Sequence, residues 1–390
     1  MTTLTLVAGA PPRDRLEWAA LAGLLGFVAA LQLSIAAAGI CLALMLACWA
    51  GTLFVGQERW DAPRFFWPLL IYAAWTLVSA AFSPDPRTSF IDSKQLVVFL
   101  IVPAVYQLAR GNRALTVFNV IITVGAASAI LGIVQYGVLN YDHLGQRPQG
   151  ALGHYMTYSG LLVLVICAAV GRLLFDTRHC AWAAIVMPSL AAAIALTFTR
   201  SAWVGVAAGV TVLFVLKNRR LLALLPVIAV LFVVLAPARI NARMYSMFNL
   251  NDPTTRDRVA MLREGRAMIA EHPLTGVGPN MVERVYAQYR DPLAVEKVNP
   301  HLHNVPMQIA AERGLPALAI WLWFVGTVVL DVWQKLRTSR HRFLAATALA
   351  ATAGMLSARL FEHNFGDSEF LMLFLVLLTL PFAADRADVA

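Results

Sequence analysis

Charge is scarce in this chain. Only 14% of its 390 residues are charged, while 59% are hydrophobic and the mean hydropathy is +0.67. A soluble domain carries about 25% charged and about 45–50% apolar residues. So few charges cannot cover a soluble surface of this size, which excludes a soluble multidomain enzyme, a disordered chain and a nucleic-acid module. Cysteine is scarce too. Cys41, Cys48, Cys167 and Cys180 lie in or beside apolar runs and lack the spacing of a metal site, so they read as buried small residues. None falls in the one long polar segment, so no disulfide is expected there. Pro11, Pro12, Arg13 and Arg15, followed by an apolar stretch too long for a leader, do not read as a cleavable signal peptide.

What the chain has instead is long apolar runs. A helix needs about 20 apolar residues to cross about 30 Å of hydrocarbon. Such runs lie near 17–34, 35–55, 66–82, 95–109, 114–139, 156–174, 180–198, 201–216, 221–237, 314–333, 343–360 and 368–384. The expected fold is therefore an all-α integral membrane protein of about twelve transmembrane helices. With the N-terminus cytoplasmic, the inner segments hold Arg13, Arg15, Arg59, Arg64, Arg110, Arg113, Arg172, Arg178, Lys217, Arg219, Arg220, the Lys335–Arg342 cluster and Arg386. The short outer segments hold only Arg87, Lys94, Arg147, Arg200, Arg313 and Arg359. That asymmetry puts both termini in the cytoplasm. The net charge of +9, which at first suggests an anionic partner, is thus mostly a topological signal.

Three parts follow: nine spans in 1–237, a polar outer segment in 238–303, and an edge helix with three further spans in 304–390. The polar segment has helical periodicity. Met261, Leu262, Met268 and Ile269 fall on one face of a helix over 258–271, with Thr254, Thr255 or Asp257 as its cap and the Gly276-Val277-Gly278-Pro279 turn after it. Arg258 shares the apolar face and Arg256 points away from it. An arginine on the buried face beside a glycine turn suits an anion; the competing reading is a side chain that snorkels to lipid headgroups. A second short helix is expected over 281–289, lying across the outer surface.

Two further positions stand out. Arg200 sits between two apolar spans with almost no loop, which is costly this close to hydrocarbon and marks a functional candidate; the alternative is an interfacial anchor beside Trp203. At 303–316, Asn304 suits an N-cap, 305–313 a short helix, Gly314 its end and Pro316 the start of the tenth span. His303 then stands at a helix N-terminus, a suitable place for a general base, although a lone histidine there can be only an interfacial or capping residue. His301 pairs with it in sequence, but no carboxylate or cysteine at ligand spacing supports a metal. Arg147 and His154 could line the same cavity. His301, His154, His272 and His363 are weaker candidates than His303, and Arg87, Asp92 and Lys94 could also line the cavity but read better as a solvated interfacial loop.

These residues resemble the bacterial O-antigen ligase and polymerase superfamily. His303-Asn304, nine residues and Gly314 are similar to the family's histidine motif, with Ala317 where the motif has Gly, Thr or Tyr. Arg258 followed by Glu271-His272-Pro273-Leu274-Thr275-Gly276-Val277-Gly278 resembles the family's arginine and His-Pro-Leu-x-Gly-x-Gly run, with Leu262 where a tryptophan is usual. Thr199-Arg200-Ser201 is similar to its arginine at the membrane edge. The resemblance implies a glycosyltransferase of the bacterial inner membrane with a GT-C-like fold, a periplasmic active site, and no metal or other cofactor. It implies transfer of a glycan from undecaprenyl diphosphate to a hydroxyl of the lipid A-core oligosaccharide, with inversion. His303 would be the base, Arg200 and Arg258 would hold the diphosphate, and Arg147, His154, His301 and Asn304 would be possible substrate contacts. The alternatives are a polymerase of the same superfamily, a flippase of lipid-linked sugars and a structural scaffold. The flippase reading lacks an internal repeat and a charge deep in a span. A scaffold leaves the Arg200, Arg258 and His303 set unexplained.

Overall fold

The computed structural model describes residues 12–56, 60–139, 147–176, 180–235, 238–245, 253–358 and 367–386, and among these every regular element is a helix. In chain order they are α1 (Pro12–Ala30), α2 (Ile35–Gly56), α3 (Phe66–Ala81), α4 (Pro86–Asp92), α5 (Ile101–Leu108), α6 (Asn112–Gly137), α7 (Tyr155–Phe175), α8 (Cys180–Leu196), α9 (Arg200–Lys217), α10 (Leu224–Leu235), α11 (Ala238–Tyr245), α12 (Pro253–Glu271), α13 (Val282–Tyr289), α14 (Val305–Thr338), α15 (Arg342–Ala358) and α16 (Ser368–Ala383). A helix thus lies under each apolar run of the sequence. Among the described residues, six helical stretches are long and apolar enough to cross a membrane: 35–55, 86–108, 112–137, 155–175, 200–217 and 305–338. α3, α8, α15 and α16 are apolar but shorter.

Burial separates helices that are equally apolar around their circumference. α7 is buried without interruption from Thr157 to Arg172, and α15 and α16 are buried nearly throughout. A helix that is apolar on all faces belongs inside a bundle. α10 is as apolar but has no buried residue, and Val227, Leu231 and Val234 face outward. Exposed apolar surface of that extent belongs against lipid.

Small residues let the central helices close in. A Cβ on Gly205 of α9 would stand 3.1 Å from the Gly354 carbonyl of α15, and Gly209 sits against Ala350 and Cys167. Close backbone approach of this kind is the membrane alternative to bulky interdigitation. It fixes the rotation and height of α9, and hence where its first residue, Arg200, is held.

The segment that holds Arg87, Asp92 and Lys94 is helical rather than a loop, although Arg87 and Lys94 are exposed as expected. Asp85 accepts the Thr88 N–H at 3.2 Å and caps α4, and a 3-10 stretch (Ser93–Leu100) runs on into α5. Pro103 follows and has no N–H to offer the Phe99 carbonyl, which weakens the α pattern there. Arg59, Arg178, Arg359 and His363 lie outside the described residues.

Candidate active site

Three elements meet at one end of the bundle. Arg200 is the first residue of α9 and is buried. Arg258 lies in α12 and His303 just precedes α14. All three line one cavity of about 400 Å³, together with Asn304, Thr255 and Leu262.

Local chemistry explains how each is held. The α8–α9 connection is a tight turn with Phe198 at φ 53. Thr197 donates to the Ile194 carbonyl at 2.8 Å and the Trp203 indole donates to the same carbonyl at 3.0 Å, so the turn is fastened from both sides. His303 is also left-handed, at φ 47. Non-glycine residues held there cost about 1–3 kcal/mol each and persist only where surroundings dictate them, often at functional sites. Of the three such residues among those described, His303 lines this cavity and Phe198 lies two positions before Arg200. Asn304 caps α14 as expected, its side chain accepting the Met307 N–H at 3.0 Å.

The cavity is electropositive for reasons beyond its two arginines. The N-termini of α9 and α14 both border it, and helix N-termini carry partial positive charge. An arginine at the first position of a helix opposes that dipole. An anion bound there would offset that opposition. Val204, Val259 and Leu262 make the rest of the wall apolar. Leu262 was expected to pack on the helix's buried face; it is 43% exposed and lines the cavity instead, while Met261 and Met268 are buried.

A hydrogen-bonded joint ties the Arg258 helix to the His303 helix. At Gly314 (φ 79, ψ 171) α14 breaks, and the 272–280 turn docks into the break. Val277 N–H donates to the Ala311 carbonyl, Gly278 N–H to the Glu312 carbonyl and Leu315 N–H to the Pro273 carbonyl, each at 2.8 Å. Any side chain at Gly314 would strike the Leu274 carbonyl, and one at Gly276 would strike the Glu312 backbone. From α3, Ser79 donates to the Thr275 carbonyl at 2.7 Å and Trp75 to the Arg313 carbonyl at 3.0 Å. The buried Glu312 carboxylate completes the joint. It accepts from Asn280 N–H at 3.0 Å, from Gln308 at 2.8 Å and from Arg313, which also lies 3.9 Å from Asp92. Gln308 in turn accepts the Leu302 N–H at 2.7 Å, immediately before His303. The Gly-x-Gly run is therefore a mechanical part, not a lining of the cavity.

That joint is what the sequence reading missed. The available signal was Gln308 and Glu312 on one helical face, directly before the glycine. Two other expectations are corrected. Thr254, Thr255 and Asp257 do not cap α12, which begins at Pro253; Asp257 is buried inside it and accepts the N–H groups of Val295 at 3.0 Å and Glu296 at 3.1 Å. α13 is not merely laid on the surface, because Met281, Val282, Val285 and Tyr286 bury a face against α12. Glu264, also unforeseen, is buried and accepts the Asp291 N–H at 2.9 Å; burial pushes its carboxyl above the usual range.

The remaining candidates stand apart from this cavity. Arg147 lies 4.5 Å over the Tyr155 ring, and exposed His154 contacts Thr157; neither is among the residues lining it. His301 faces a different, smaller cavity with Asp92, Gln95 and Arg313, and burial, then the neighbouring His303, lowers its pKa. His272 ends α12, its N–H donating to Met268. Among the described residues no group of three or more His, Cys, Asp and Glu is placed to hold a metal ion.

No curated protein matches the chain. Residues 183–322, a segment that contains Arg200, Arg258, His303 and the turn docked between them, match the O-antigen ligase family, a similarity that supports the O-antigen ligase superfamily.

Proposed function

We propose that this protein is an O-antigen ligase, an integral-membrane glycosyltransferase that moves a glycan from undecaprenyl diphosphate to a hydroxyl of the lipid A-core oligosaccharide. The observation that carries the reading is that Arg200, Arg258 and His303, far apart in sequence, line one cavity whose remaining wall is largely apolar. Such a cavity suits a lipid diphosphate, and it matches the reading's division of labour.

Arg200 and Arg258, with the positive ends of α9 and α14, hold the diphosphate and stabilise its charge as it leaves. His303 takes the proton of the acceptor hydroxyl. The hydroxyl oxygen bonds to the anomeric carbon as the bond to the phosphate oxygen breaks, and the electron pair leaves with the diphosphate. Attack opposite the leaving group inverts the configuration. The positive-inside asymmetry supports twelve spans, with 238–303 as a periplasmic segment and both termini in the cytoplasm of a bacterial inner membrane.

The test is transfer by purified protein supplied with an undecaprenyl-diphosphate glycan and a lipid A-core acceptor. Appearance of glycosylated core is expected. Extension of the donor glycan without core would mark a polymerase. Movement of the donor across a vesicle without product would mark a flippase.

A further inference from the structure

A second cavity, of about 340 Å³, lies against the same two residues. Arg258 and His303 line it, and every other lining residue differs from those of the first. The division follows the helical period of α12. Thr255, Arg258, Val259 and Leu262 face the first cavity, whereas Pro253, Asp257 and Met261 face the second. Arg258 stands on the ridge between them.

The two cavities differ in chemistry. The first is bounded by Arg200, two helix N-termini and apolar side chains. The second is bounded by Asp257, Glu296 and Asn299, with Val295 and Val298 presenting partly exposed apolar surface. Its wall is rigid. Asp257 holds the backbone of 295–296, and buried Asn299 donates to both the Asp257 carboxylate and the Tyr286 hydroxyl at 3.1 Å. Carboxylates repel a diphosphate but accept hydrogen bonds from hydroxyls. Carboxylate and amide groups beside apolar patches suit the polar edges and CH faces of a sugar. The volume lies in the about 300–1,000 Å³ range of small-molecule sites.

We propose that this second cavity is the acceptor subsite, and that it takes a carbohydrate whose hydroxyl is delivered to His303 from the α12 face opposite to the lipid diphosphate. The inference rests on the functional reading above and adds to it an address for each substrate. The reacting oxygen comes from the second cavity and gives its proton to His303, its new bond forms at the anomeric carbon near the ridge, and the diphosphate departs into the first cavity. Val298 and Glu296 become selectors of the acceptor.

The test is a pair of cavity-filling substitutions in the full chain. Val298 is 55% exposed, so Val298→Trp leaves the fold intact while narrowing the second cavity. It is expected to raise the acceptor KM about tenfold, the effect of ~1.4 kcal/mol of lost contact. Donor KM and the binding of undecaprenyl diphosphate should stay unchanged. Leu262→Trp, on the first cavity, should do the reverse. A Val298→Trp protein with raised donor KM, or with both KM values unchanged, overturns the assignment. Calorimetric binding of free core oligosaccharide gives a second readout that needs no turnover. Binding to the wild-type protein that is weakened in Val298→Trp supports a carbohydrate site in this cavity even if the wild-type protein shows no transfer, in which case the ligase reading falls and the carbohydrate site stands. Absence of binding to the wild-type protein, or binding equal in the variant, sinks the subsite.

Discussion

Replacing Glu312 should loosen the active site without touching its cavity. The carboxylate accepts three hydrogen bonds, from Asn280 N–H, Gln308 and Arg313, and is 4% exposed. Breaking a buried ion pair by removing one partner costs about 3–5 kcal/mol, because the other charge is left uncompensated. Here Asp92, 3.9 Å from the Arg313 guanidinium, still offers a carboxylate. Glu312→Gln also keeps an oxygen for Asn280 N–H. Glu312→Gln is therefore expected to cost about 2 kcal/mol, near one charge-assisted hydrogen bond, and Glu312→Ala about 3 kcal/mol. Because Gln308 also holds the Leu302 N–H, the loss reaches His303 directly. Transfer should fall further than the fraction of folded protein. The assay is denaturant titration in mixed micelles followed by tryptophan fluorescence, with initial transfer rates measured on the same samples. Both variants within about 0.5 kcal/mol of wild type, the range of ordinary surface substitutions, and with unaltered transfer, would refute the joint as the device that sets the position of His303.

Arg258→Ala should lose at least about a hundredfold in kcat/KM for the donor, the effect of removing a group that stabilises developing charge; exposed Arg256→Ala should change it little, and equal losses would argue against the face on which Arg258 lies. Glu264→Gln should raise the melting temperature at pH 7. Its carboxyl pKa is raised by burial, so its contribution to stability is full below the ordinary carboxylate pKa of 4.5 and is lost as pH rises through the higher folded value. The advantage of the amide should therefore shrink as pH is lowered toward that ordinary value, and an advantage constant with pH would rule out ionisation as its cause. Transfer should survive EDTA; loss of activity restored by a divalent cation would show that Arg200 and Arg258 do not suffice for the leaving diphosphate.

The sequence exposed some of this well and some not at all. The helices were legible because each needs a long apolar run, and the N-cap at Asn304 and the break at Gly314 were legible because they rest on local chemistry. Arg200 was legible because a charge beside hydrocarbon is costly. The joint was not: Glu312 reads as an ordinary helix residue until the 272–280 turn, Trp75 and Ser79 are brought around it, and those contacts span more than 190 positions of chain in the case of Ser79 and Thr275. Asp257 illustrates the same limit. An acidic residue near a helix start reads as a cap, yet its partners at 295–299 lie far along the chain. The helix where a loop was expected, around Arg87 and Asp92, shows that charge spacing says little where tertiary contacts decide, since Asp92 lies 3.9 Å from Arg313.

Arg200 and Arg258 are assigned to the diphosphate and His303 to the proton of the acceptor hydroxyl. The most direct test of this assignment compares the wild-type protein with His303→Ala in two measurements, affinity for undecaprenyl diphosphate and rate of glycan transfer to core. Affinity is expected to be unchanged and transfer abolished in the variant, with affinity weakened when Arg200 is replaced in parallel. Near-normal transfer by His303→Ala would contradict the assignment.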